Sequence, residues 1–209
     1  MLRFSLLIAI FFSTTVVVSG QKNKLKPYKL GFSYAYGVQG GALLHENDYN
    51  YKTNTIALQF FYPLKRGKFN LDLLIEPTIG FAQHQLLNLY YIKDTEPNFE
   101  AKRAFYTQNR HLTEILMIGN LIIRRKLFKG EELYALFGFG PMTISKATER
   151  LARGYAFVST IGVGLQTRIN NKLFFNVSGK LRHMSNAELK QPNAGINTAS
   201  IGFGFNFEL

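Results

Sequence analysis

The sequence predicts an all-β fold, an eight-stranded antiparallel transmembrane β-barrel of the outer membrane. Three observations predict it. Apolar residues recur at every second position in eight separate segments, which is the period of a strand with one apolar face. Beyond residue 20 there is no run of 18 or more apolar residues, so no helix is suited to span a bilayer. Charged residues make up 18% of the 209 positions and aromatics 14%, against about 25% charged in an average soluble domain. A soluble barrel also alternates, but its outward face carries Lys and Glu, and neither face here does.

Met1–Gly20 has the pattern of an export signal. Arg3 gives the basic start, Leu6–Phe12 and Val16–Val18 the apolar stretch, and Val18-Ser19-Gly20 a cleavage site before Gln21. A single membrane anchor is the alternative, interrupted at Ser13-Thr14-Thr15 and short for a span. Residues 21–209 are then the barrel domain. Its first stripe is Leu30, Phe32, Tyr34, Tyr36 and Val38, and its second Ile56, Leu58, Phe60 and Tyr62. The third runs from Phe69 to Phe81, the fourth from Ile115 to Ile123, and the fifth from Leu133 to Phe139. Tyr155–Ile169, Leu173–Leu181 and Ile201–Leu209 complete the set. The opposite parity holds small and polar residues, such as Gly202, Gly204, Asn206 and Glu208 in the last strand. That suits the crowded lumen of an eight-stranded barrel.

Connections alternate between short and long. Pro63–Gly67, Lys126–Glu132 and Asn170-Asn171 are short, the last with the composition of a type I′ turn. Gln39–Tyr51, Gln83–Arg110, Lys146–Arg153 and Asn186–Ile196 are longer. Outer-membrane barrels keep short turns on the periplasmic side and long loops outside. The connection between strands seven and eight is therefore expected at the outer surface.

Zero cysteines exclude a disulfide scaffold, thiol catalysis and Cys-ligated metal. The chain has no Gly-x-Ser-x-Gly elbow, Walker loop or dinucleotide fingerprint. The informative stretch is Arg182-His183-Met184-Ser185-Asn186-Ala187, followed by Leu189–Asn193 and Gly195-Ile196-Asn197. His183 and Ser185 are two apart on strand seven and share its apolar parity, and Asn197 shares the apolar parity of strand eight. If the connection centres near residue 191, Ser185 and Asn197 lie opposite or nearly so in adjacent strands. Imidazole near a hydroxyl, with a third group to orient the ring, is the minimum for an activated serine. The same residues could instead simply end a strand in the headgroup zone, where polarity is tolerated.

The segment resembles the signature of the PagL-type lipid A 3-O-deacylases, eight-stranded outer-membrane esterases. That signature is a His-x-Ser-Asn-Ala core, a Leu-Lys-Gln-Pro-Asn stretch, then Gly-Ile and an acidic residue. His183, Ser185, Asn186, Ala187, Leu189–Asn193, Gly195 and Ile196 fall in register with it. The resemblance implies that Ser185 is the nucleophile and His183 the general base. It makes Asn186 and Asn193 candidates for stabilising an oxyanion. Where the family has a glutamate to orient the histidine, this chain has Asn197, whose amide can hold a tautomer but carries no charge. Glu188 is a second candidate for that role, ranked below Asn197.

The implied activity is hydrolysis of an ester-linked 3-hydroxyacyl chain of lipid A, with no cofactor and no metal. The implied partner is lipopolysaccharide in the outer leaflet of a Gram-negative outer membrane. A net charge of +12 could assist binding to lipid A phosphates, with Lys146, Arg150, Arg153 and Lys190 nearest the site. The export signal argues against nucleic acid as the target of that charge. The alternatives are a non-catalytic barrel with a structural or adhesion role, and an esterase or acyltransferase acting on another envelope lipid. His45, His84 and His111 have no metal-ligand spacing and are expected at the surface. Asp72 and Glu76 are expected to pair in the lumen with Arg124, Arg168, Lys180 or Arg182.

Overall fold

Eight antiparallel strands close into one barrel in the computed structural model, which describes residues 26–39 and 47–209. The expected export signal and His45 lie outside those residues. In order the strands are β1 (Lys29–Val38), β2 (Tyr49–Lys65), β3 (Asn70–Leu86), β4 (Arg110–Phe128), β5 (Glu131–Ile144), β6 (Gly154–Arg168), β7 (Leu173–Ser185) and β8 (Ile196–Glu208). Each pairs with its chain neighbours, and β1 closes on β8 from Lys29↔Glu208 to Val38↔Ala199. Closure leaves no edge strand among the described residues.

Each apolar stripe lies on the outer wall. Ile115, Met117, Phe137, Ile161, Val163, Ile201 and Phe203 are all exposed there. The strands outrun the stripes: β2 and β3 have 17 residues each and β4 has 19, against about 9–11 needed to cross a bilayer. Past the apolar band the ladders continue with polar side chains, where the alternation of hydrophobicity fades.

The lumen is packed with side chains. Near the short-turn end Asp72 takes Arg124 at 2.9 Å and Arg66 at 2.6 Å. In the middle Glu76 accepts from Gln59 and Asn120 and faces Lys180 at 3.3 Å. At the long-loop end Glu114 receives both terminal nitrogens of Arg182, at 2.8 and 3.1 Å, together with the Tyr51 hydroxyl. Of the expected partners of Asp72 and Glu76, Arg124 and Lys180 are in place, while Arg168 is exposed and Arg182 belongs to a carboxylate the alternation did not flag. Such pairing satisfies buried charge, as the interior of a closed barrel requires.

The short connections are 66–69, 129–130 and 169–172. Gly130, at φ 92°, makes the tightest of them possible. The Asn170-Asn171 turn is not type I′, since neither asparagine has positive φ. Instead Asn170 Oδ1 accepts the N–H groups of Lys172 and Leu173, both at 2.9 Å, as in an Asx turn. The second long loop (87–109) carries a 3₁₀ turn (Leu89–Tyr91) and helix α1 (Phe99–Tyr106), neither of which the period-two pattern predicts. The third (145–153) and fourth (186–195) long loops pack on each other through a bridge between Leu151 and Asn193.

Candidate active site

Strand alternation turns His183 and Ser185 outward from β7, while Arg182 and Met184 point into the lumen. Opposite His183 on β8 stands Asn197, and on β6 Ser159. Within the expectation that Ser185 and Asn197 lie opposite or nearly so, the register sets Asn197 two positions from the place opposite Ser185. Ser185 ends β7 beside Phe157 of β6, and it is His183 that is paired directly with Asn197. The shift improves the chemistry, because it brings the amide to the ring. His183 Nδ1 lies 2.6 Å from Asn197 Oδ1. With the amide oxygen as acceptor, the proton sits on Nδ1 and Nε2 is left bare. The Ser185 hydroxyl occupies the next outward position along the same strand.

The ring is also fixed from beneath. Gly195 has φ 76°, and a Cβ there would stand 2.8 Å from His183 Cε1. Glycine is thus required twice over, by the backbone and by the closeness of the imidazole. The N–H of Asn197 donates to the Tyr49 hydroxyl at 3.3 Å, through the wall from the lumen side.

The fourth loop leaves β7 in a tight turn. Leu189 N–H donates to Asn186 O at 3.1 Å, with Ala187 and Glu188 both at positive φ. Asn186, 1% exposed, holds the loop together. Its N–H donates to Asn193 Oδ1 at 2.7 Å, and its side-chain amide donates to Lys190 O at 2.5 Å. Both asparagines singled out from the sequence thus meet within this loop, next to Ser185. Glu188 sits exposed at the turn tip, and the acceptor on His183 Nδ1 is Asn197.

Beside the imidazole the outer wall has a groove of about 350 Å³. Phe137, Ile161 and Leu181 give it apolar sides, and Ser159, His183 and Asn197 its polar end. Ser159 was legible in principle, as the polar member of an otherwise apolar stripe from Tyr155 to Leu165. Tyr49 carried no such signal, and Arg150 was singled out only as a cation near the site.

Two expectations change. Arg150 is 8% exposed and is engaged with the fourth loop, leaving Lys146, Arg153 and Lys190 as exposed cations near the site. His84 is buried, with Nε2 2.9–3.0 Å from the carboxylate oxygens of Glu149. In the second loop the Lys102 ammonium, hydrogen-bonded to Glu96, holds that carboxyl below its usual range. Burial pushes the Tyr106 phenol up.

Fold and site together define a small transmembrane barrel whose lipid-facing wall carries a histidine–amide pair, with a serine at the next outward position of the same strand. The family described as lipid A 3-O-deacylase (PagL) matches residues 87–206. The chain belongs to that family. Among solved structures, the crystal structure of the outer membrane enzyme PagL is similar with a TM-score of 0.59 at 16% identity, covering 83% of this chain and 97% of that one. Neisserial surface protein A is similar with a TM-score of 0.52 at 5% identity, covering 87% of this chain and 96% of that one. No curated protein matches the chain. Family and fold place the protein among outer-membrane β-barrel hydrolases.

Proposed function

We propose that the protein removes an ester-linked 3-hydroxyacyl chain from lipid A in the outer leaflet, with Ser185 as nucleophile, His183 as general base and Asn197 as the group that orients the ring. The observation that carries the roles is the 2.6 Å contact between His183 Nδ1 and Asn197 Oδ1 on the outward wall. It prepares Nε2 to accept a proton from the neighbouring serine. The apolar groove alongside has the character of an acyl-chain slot. A substrate confined to the membrane can reach this wall by lateral diffusion.

Ser185 Oγ attacks the ester carbonyl while His183 Nε2 takes its proton. The tetrahedral oxyanion collapses, the C–O bond to the sugar breaks, and the imidazolium returns the proton to the leaving hydroxyl. Water, deprotonated by the same imidazole, then attacks the acyl-serine, releasing the fatty acid and restoring Ser185. Asn193 is the side-chain candidate for holding the oxyanion. Its Oδ1 is fixed by Asn186 N–H, which orients its amide nitrogen. Asn186 contributes by holding the loop. Lys146, Arg153 and Lys190 are exposed near the site and suited to the lipid A phosphates.

Mass spectrometry of lipid A from cells expressing the protein tests this reading. The wild type is expected to produce a species lighter by one hydroxyacyl chain, and Ser185→Ala and His183→Ala are expected to abolish it. Unchanged acylation with the folded wild type would sink the proposal.

A further inference from the structure

We propose that Arg150 is a positioning residue for His183, clamping the two residues that fix the imidazole. The inference rests on the role given to His183 above. It assigns to Arg150 a function quite different from phosphate binding, which its charge and loop location suggest.

The third loop is first locked on itself. Thr148 N–H donates to Leu151 O, and Thr148 Oγ1 accepts the N–H groups of Arg150 and Leu151 at 3.2 and 2.9 Å. Arg150 is thereby held firmly against the fourth loop. Its carbonyl accepts Ala194 N–H at 2.7 Å and Gly195 N–H at 3.2 Å, while its Nε donates to Gly195 O at 2.9 Å. One residue therefore grips Gly195 on both its donor and its acceptor side. The guanidinium also lies 4.6 Å from the Tyr49 ring centroid and 5.2 Å from that of Tyr91.

These contacts converge on His183. Gly195 is the floor on which the imidazole rests, at a distance that admits no Cβ. Tyr49, beneath the guanidinium, accepts the N–H of Asn197, whose side chain takes His183 Nδ1. Floor and orienting amide are thus tied to the same buried arginine. A planar guanidinium can bond a carbonyl and stack on two rings at once, whereas a lysine ammonium cannot reproduce that combination.

Turnover of lipid A by Arg150→Ala and Arg150→Lys separates the two roles. A displacement of about 1 Å in a catalytic group costs on the order of 10²-fold in rate. Arg150→Ala is therefore expected to lower kcat by about 10- to 100-fold with KM nearly unchanged, and Arg150→Lys to remain equally slow. A raised KM with preserved kcat, restored by Arg150→Lys, would overturn the proposal in favour of phosphate binding. Wild-type values for both variants would overturn it as well.

Two further measurements secure the test. Tyr49→Phe removes the hydroxyl that accepts Asn197 N–H and keeps the ring beneath the guanidinium. It is expected to lower kcat in the wild-type background and to add nothing in the Asn197→Ala background, as coupled residues do. Additive losses count against the clamp, and this arm holds even where Arg150→Ala fails to assemble. The rate of Ser185 labelling by an alkyl fluorophosphonate reports the serine–histidine pair without lipid A. Arg150-dependent labelling in a wild type that leaves lipid A intact would keep the clamp and discard the substrate. Labelling that is fast in the wild type and indifferent to Arg150→Ala would discard the clamp.

Discussion

The bond from His183 Nδ1 to Asn197 Oδ1 fixes the tautomer, but it leaves the imidazolium without a counter-charge when it forms. A carboxylate at the same place would make a charge-assisted bond, roughly twice as strong as a neutral one. Asn197→Asp, which keeps the shape of the side chain, is expected to raise kcat by about tenfold, equivalent to ~1.4 kcal/mol. Asn197→Ala should lower it by on the order of 10²-fold, because no acceptor then holds the Nδ1 proton. Initial rates of fatty-acid release from lipid A check both. Gly195 is the complementary case. Gly195→Ala forces a side chain into a conformation disfavoured by about 1–2 kcal/mol and drives its Cβ against the imidazole. Its turnover is expected to fall about 10²-fold while the barrel still resists unfolding in detergent, read as unchanged gel mobility without boiling.

At the scale of elements, the strands and the spans of their connections were legible in the sequence, and the structure inside the long loops was not. Alternation identified all eight strands because each presents apolar residues to one side over its membrane-crossing part. It could not place Asn197 against His183. The register of β7 on β8 depends on how many residues the fourth loop consumes, and Ile196, expected as the last loop residue, already lies in β8, paired with Met184. Nor could it find α1, whose eight residues are hidden in a long polar connection. The candidate site residues came from their motif, whereas Arg150 and Tyr49 reach them from other loops and strands. Asn186 shows how local order and chemistry join here. Replacing it with alanine removes donors to Lys190 O and Pro192 O, and losing such buried bonds costs about 1–3 kcal/mol. Asn186→Ala is expected to speed hydrogen exchange across 186–195, leave the strands protected, and reduce turnover at least tenfold.

For the molecule as a whole, the site and the lumen are two faces of one wall. His183 and Ser185 face out, while Arg182 and Met184, their immediate neighbours, are locked inside. Arg182 is held by Glu114 across the barrel, and Glu114 also takes the Tyr51 hydroxyl. The charge that gave the chain its basic character mostly lies elsewhere. Lys65, Arg66, Lys68, Arg125, Lys126, Lys129, Arg168 and Lys172 are all exposed at the short-turn end, opposite the site. Net charge is thus a poor guide to this protein's substrate, and the buried pairs matter more to its wall. Glu114→Ala leaves Arg182 buried without its carboxylate, a change that costs about 3–5 kcal/mol. The temperature at which the barrel loses its folded gel mobility should fall clearly, and the rate of deacylation with it. Replacing both partners, Glu114→Met with Arg182→Met, removes the charges together and is expected to return most of the thermal resistance, since an apolar pair of similar volume is often neutral or stabilising. If the double variant also recovers turnover, the lumen supports the catalytic wall through packing alone. If it recovers resistance without turnover, the Arg182–Glu114 geometry itself sets the position of His183 on the other side of the strand.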